Sequence, residues 1–163
     1  LKVTIYHFVH SFGDYHCPGH VALYDRSGEK TKRVHTASYD IYLQPKKTRF
    51  HYHTLWDSGL ILQYHSDWGY MDWAHALDNN VPQEYIDRVT AGSLEDWLTE
   101  VATLTHEKYD IFRRVPAKPK DTPDNELTIV DRNLMNEYIE FVSDQLLIGG
   151  LRMAKLLNEF FGN

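Results

Sequence analysis

The sequence predicts a mainly α fold, and three observations carry that prediction. Segments near the two ends, 1–12 and 133–161, and a third beginning at Ser93 place their apolar residues at helical spacing. Outside the first segment, strand-type alternation shows only at Tyr39, Ile41 and Leu43. Neither an internal repeat nor a coiled-coil heptad organises the 163 residues.

In the first segment Leu1, Ile5, Phe8, Val9 and Phe12 form one stripe. A strand competes there, because Val3, Ile5 and Val9 are β-branched, but the regularity of the stripe favours a helix that ends between Gly13 and Pro18. Residues 24–51 read as a long loop or a short hairpin: a polar patch, the alternating residues, then Pro45 and two lysines. Leu55, Trp56, Leu60 and Ile61 return to helical spacing, which breaks around Asn79, Asn80 and Pro82. Ser93 and Asp96 make a capping-box-like pair ahead of Leu94, Trp97, Leu98, Val101, Ala102 and Leu104. Pro116, Pro119 and Pro123 mark 113–131 as a surface loop, and the last helix follows with Leu134, Tyr138, Phe141, Val142, Leu146, Met153, Leu156 and Phe160.

The length allows one domain with a sizeable core and falls short of two. With 42% apolar and 13% aromatic residues the chain is neither a disordered tail nor a low-complexity segment. No apolar run approaches the ~20 residues a membrane helix needs, so no transmembrane segment is predicted. The net charge of −6 argues against a broad basic surface for nucleic acid. It leaves open action on nucleic acid through bound metal ions, which supply positive charge of their own. Cys17 is the single cysteine and cannot form an internal disulfide.

Histidine is the informative residue: there are 10, four of them within the first 20 positions. His10 and Asp14 are at i and i+4, so on a helix they share a face, and His20 follows where Pro18 turns the chain. His53 and Asp57 repeat the same spacing. Three imidazoles and two carboxylates make a credible nitrogen and oxygen site for zinc. On spacing alone, two surface hydrogen-bonded pairs explain the pattern equally well.

The segment His10-x3-Asp14-x-His16-x-Pro18-x-His20 resembles the "HFxGDxHQPLH" signature of the zinc-dependent single-strand nuclease and 3'-nucleotidase family. His53-x-x-Trp56-Asp57-x-Gly59-Leu60-Ile61 is similar to that family's "NLHxxWDxGxI" motif, and Asp25-Arg-Ser-Gly28-Glu29 to its "DxGGN" loop. Trp97-x-x-Glu100 and the run from Tyr138 through Gln145, Gly149, Gly150, Arg152 and Asn158 resemble its "WAxES" and closing helices. The resemblance implies a phospholipase C/nuclease-like helical fold, with a short β-hairpin or long loop between the two metal motifs.

It implies that His10 and Asp14 bind an inner zinc, with Asp14 bridging to a neighbouring ion. His20, His53 and Asp57 would hold an exposed zinc. His16 matches a histidine that is not a ligand and would support the ligands from behind. Asp25 and Glu29 would lie in a substrate-facing loop. Up to three Zn²⁺ ions would hydrolyse phosphodiesters of single-stranded DNA or RNA, or 3'-nucleotides.

In the family the remaining ligands and a catalytic Asp lie in the N-terminal half, so no general acid or base is assigned within this chain. Leu1 aligns inside the helix of the first signature. The expectation is therefore that 1–163 form the C-terminal part of one zinc-nuclease-like domain. A companion N-terminal chain of the same precursor, or a segment not included here, would complete it. A secreted or lysosome-like vesicular location is expected from the resemblance alone.

Departures from the signatures carry expectations of their own. Cys17 replaces Gln and reads as a buried thiol, or as the partner of a cysteine in the absent part. Gly19 replaces Leu, which predicts looser packing behind His20. Glu29 replaces Asn and adds negative charge near the phosphate path. Trp68, Tyr70 and Trp73 suit either base stacking or, more commonly, a core. His35, His51, His65, His75 and His106 read as surface residues without partners. Two rival functions stand behind the nuclease. One is a zinc phospholipase C-like phosphodiesterase, which has Glu at the position of Asp57. The other is a non-catalytic structural or interaction homologue.

Overall fold

The computed structural model describes residues 2–25, 32–34, 39–43, 48–108 and 117–162. Helix α1 spans Lys2–Tyr15 and is followed by a 3-10 turn at Pro18–His20. Strands β1 (Leu23–Asp25) and β2 (Lys32–Val34) pair antiparallel, as do β3 (Tyr39–Leu43) and β4 (Thr48–His51). The hairpin expected between the metal motifs is thus two hairpins. Helix α2 (Tyr52–Thr54) runs through a π-helical turn, Leu55–Gly59, into α3 (Leu60–Tyr64). Then come α4 (Tyr70–Leu77), α5 (Gln83–Val89), α6 (Leu94–Lys108), β5 (Lys118–Pro119), β6 (Ile129–Val130) and α7 (Arg132–Phe161).

The protein is mainly α, as its periodicity predicts. The proline-rich stretch after α6 contributes more than a surface loop, since β5 joins β3 antiparallel and β6 joins it parallel. Two-residue strands are too short to show alternation, and Val130 and Leu127 are nonetheless buried. Asp131 caps α7 by accepting from the Leu134 N–H at 2.9 Å.

The core forms where α7, the 52–64 helix and β3 meet. Tyr138, Phe141, Val142 and Met135 pack against Trp56, Leu55, Leu60 and Ile41. The Trp56 and Tyr138 rings lie 4.8 Å apart. Helix α1 is covered only towards its C-terminus. Phe12 is buried, whereas Val3, Tyr6 and Val9 are exposed at 68%, 67% and 39%. Of the predicted stripe, Phe12 is thus buried, Ile5 and Phe8 are half-buried and Val9 is exposed, while Val3 and Tyr6 lie off it.

Candidate metal centre

Helix α1 delivers the first pair as its spacing predicts: His10 Nε2 lies 3.5 Å from Asp14 Oδ2. The Tyr6 ring stacks near-parallel to His10, 6.3 Å away. The second pair sits on the π-helical turn, where the Leu60 N–H reaches back five residues to the Leu55 carbonyl. Such widened turns recur at functional sites. Trp56 faces into the core while its neighbour Asp57 faces out, and His53 Nε2 approaches Asp57 Oδ2 at 2.8 Å.

His20 joins the two pairs. Its Nε2 is 2.9 Å from Asp57 Oδ1 and 3.8 Å from Asp14 Oδ1, and its ring stands edge-on to His53 at 4.6 Å. All five predicted ligands, His10, Asp14, His20, His53 and Asp57, thus fall in one continuous chain of contacts. The imidazole and carboxylate donors suit zinc or a similar divalent ion.

Cys17 also enters this cluster. Its Sγ–H donates to Asp57 Oδ1 at 3.4 Å, and the ligand atoms of Cys17, His20 and Asp57 all lie within 4.8 Å of one another. Burial, with the Asp57 carboxylate adding to it, pushes the metal-free thiol up to about 12. Gly19 does not loosen the packing behind His20. It is buried, and a Cβ there would meet the His53 carbonyl at 3.0 Å, so glycine lets the 3-10 turn seat directly on the helix of the second motif.

His16 is buried behind the end of α1, between Phe12 and Arg152. Its Nδ1–H donates to the Phe12 carbonyl at 3.0 Å, which leaves Nε2 to accept from Arg152 Nη1 at 3.3 Å. Burial holds this imidazole below its usual range, partly offset by the Phe12 carbonyl, with Arg152 pushing further down. Arg152 in turn donates to Glu100 Oε2 at 2.7 Å and to the Val89 carbonyl at 2.8 Å, and lies 5.2 Å from the Trp97 ring centre. Trp97, Glu100 and Arg152, weak signals separately, are one network behind the site. A cavity of about 330 Å³ adjoins the cluster, lined by Asp14, Cys17 and Asp57 together with Gln145 and Gly149. Gln145 Oε1 is buried in that region with no hydrogen-bond partner among the described residues.

Other expectations divide. Asp25 ends β1, opposite Lys32, and Glu29 and His35 lie outside the described residues. His51 is not partnerless. It sits opposite Asp40 in the β3–β4 register and donates Nδ1–H to Asp40 Oδ1 at 2.6 Å, while Arg49 Nε holds the other oxygen, also at 2.6 Å. Nor is His65, which stacks on Trp68 at 3.6 Å and meets Trp73 edge-on. Trp73 packs against the core, Trp68 is half-buried, and Tyr70 is 84% exposed. His75 and His106 are exposed.

The paired His and Asp side chains of this mainly helical chain thus converge on one face, with donors that could hold a divalent ion. The family model of the S1/P1 nucleases matches residues 2–162, and the chain belongs to that family. Membership marks it as a nuclease-type hydrolase, in agreement with the resemblance of its motifs. No curated protein and no solved structure matches the chain.

Proposed function

We propose that this chain carries part of a zinc centre that hydrolyses single-stranded nucleic acid or 3'-nucleotides. The observation that supports it most directly is His20. One imidazole nitrogen lies between carboxylates of two motifs that are distant in sequence, at 2.9 Å from Asp57 and 3.8 Å from Asp14. Two unrelated surface pairs would have no reason to meet there.

In this reading His10 and Asp14 hold the inner position, with Asp14 shared, and His20, His53 and Asp57 hold the outer one. Bound zinc supplies Lewis-acid polarisation of the phosphodiester and lowers the pKa of water. The chain's own residues orient these donors. His16 and Arg152 pin the end of α1, and Trp56 anchors the turn that presents Asp57. The inner position has only His10 and Asp14, so further donors and the general acid or base come from an N-terminal segment or companion chain. Support for that companion is the exposure of Val3, Tyr6 and His10 along one helix. A secreted or lysosome-like setting follows the same family reading.

The test is zinc-dependent cleavage of single-stranded DNA by the chain isolated with any tightly bound companion, alongside a phosphatidylcholine substrate and a chelator control. The expected result is chelator-sensitive cleavage of the DNA to products with 5'-phosphates. Preferential cleavage of phosphatidylcholine would favour the phospholipase reading. Zinc bound without turnover of either substrate would leave a non-catalytic homologue.

A further inference from the structure

We propose that Cys17 is itself a metal ligand, making the outer position a sulfur-containing site of Cys17, His20 and Asp57 with His53 on the carboxylate's other oxygen. This deepens the zinc reading given above and rests on it. Cys17 and His20 stand three residues apart across a 3-10 turn, the spacing at which side chains eclipse. The His20 N–H bonds the Cys17 carbonyl at 3.0 Å and fixes that relation. The turn is pressed onto the second motif at Gly19, where even a methyl group would crowd the His53 carbonyl.

Sγ and His20 Nε2 therefore address the same oxygen, Asp57 Oδ1, at 3.4 and 2.9 Å. In a tetrahedral zinc site with bonds of about 2.0–2.3 Å, ligand atoms sit roughly 3.3–3.8 Å apart. The sulfur–oxygen separation is already that of two ligands on one ion. Cys17, His20 and Asp57 make a three-ligand set with a fourth position open, and His53 orients the carboxylate through its other oxygen. A thiolate also shifts preference towards soft ions such as cadmium.

Cys17 is the single cysteine, so any thiolate-to-cadmium charge-transfer absorption from this chain has one source. Cadmium titration of the wild-type chain should give that ultraviolet band at one equivalent. Cys17→Ser, checked for unchanged helical circular dichroism, should lack the band and bind zinc at least about tenfold more weakly. Cadmium bound by the wild type without the band overturns the inference, and needs no variant to fold. Failure of the wild type to bind cadmium or zinc at all overturns the metal reading beneath it.

Discussion

Arg152 joins three elements from within α7, and its side chain is only 2% exposed. Truncating it strands the Val89 carbonyl and removes the donor that holds His16, besides emptying the space against Trp97. Glu100 is 45% exposed and keeps its hydration, so Arg152→Leu is expected to cost about 1–3 kcal/mol in urea unfolding, chiefly from the buried groups left unpaired. Arg152→Lys should recover only part of that, because an ammonium cannot reproduce the guanidinium fork. The two adjacent glycines nearby should respond oppositely to a methyl group. A Cβ at Gly149 would lie 3.1 Å from His16 Cγ, and His16 is held at both ring nitrogens and cannot yield. Gly150 has nothing within 4 Å of an added Cβ. Gly149→Ala should therefore lower the thermal midpoint. Gly150→Ala should raise stability by about 0.5–1 kcal/mol through helix propensity alone. Equal effects of the two substitutions would contradict the close approach of α7 to the end of α1.

The elements show which parts of a fold local chemistry can announce. At the start of α6 the Ser93 N–H and Oγ–H both donate to Asp96 Oδ2 at 2.8 Å, and the Asp96 N–H returns to Ser93 Oγ at 3.3 Å. The Ser93 donors hold the Asp96 carboxyl below its usual range. A depressed carboxylate contributes stability that is present above its unfolded value of 3.8 and is lost as pH falls through the lower folded value. Asp96→Asn should thus melt below the wild type at neutral pH, and the gap should close in strong acid. A gap that persists unchanged there would mean the charge is not what the cap uses. This cap was legible because it spans four residues, and the His–Asp pairs of α1 and the π-helical turn were legible for the same reason. His51 was not. Its partner Asp40 is set by strand register, eleven positions away, which local spacing does not reveal. The role of Arg152 is likewise hidden in the sequence, since nothing at one position says that His16, 136 residues earlier, will accept from it. The convergence of Cys17 with Asp57 is invisible at the level of spacing, because it depends on where Gly19 lets the 3-10 turn come to rest.

Across the whole molecule the proposed outer ligands lie at the end of α1 and on the helix leading out of the small sheet, with both hairpins between them in sequence. A metal ion held by residues of the 17–20 turn and the 53–57 turn closes that long loop in the folded state only, so binding is also a folding contribution. At a hundredfold excess over its dissociation constant, zinc should add about 2.7 kcal/mol to stability. The melting midpoint should rise with zinc in the wild-type chain, and Asp57→Asn should abolish most of the rise, because Asp57 meets Cys17, His20 and His53 at once. His10→Ala should leave most of the rise in place. His10 is 63% exposed and its contact to the cluster is to Asp14 on the same helix, so an ion there bridges no distant segment. Thermal melts at a series of zinc concentrations separate the two positions. If His10→Ala removed as much zinc stabilisation as Asp57→Asn, the clamp would lie within α1, and the division into an outer site and a half-built inner one would be wrong.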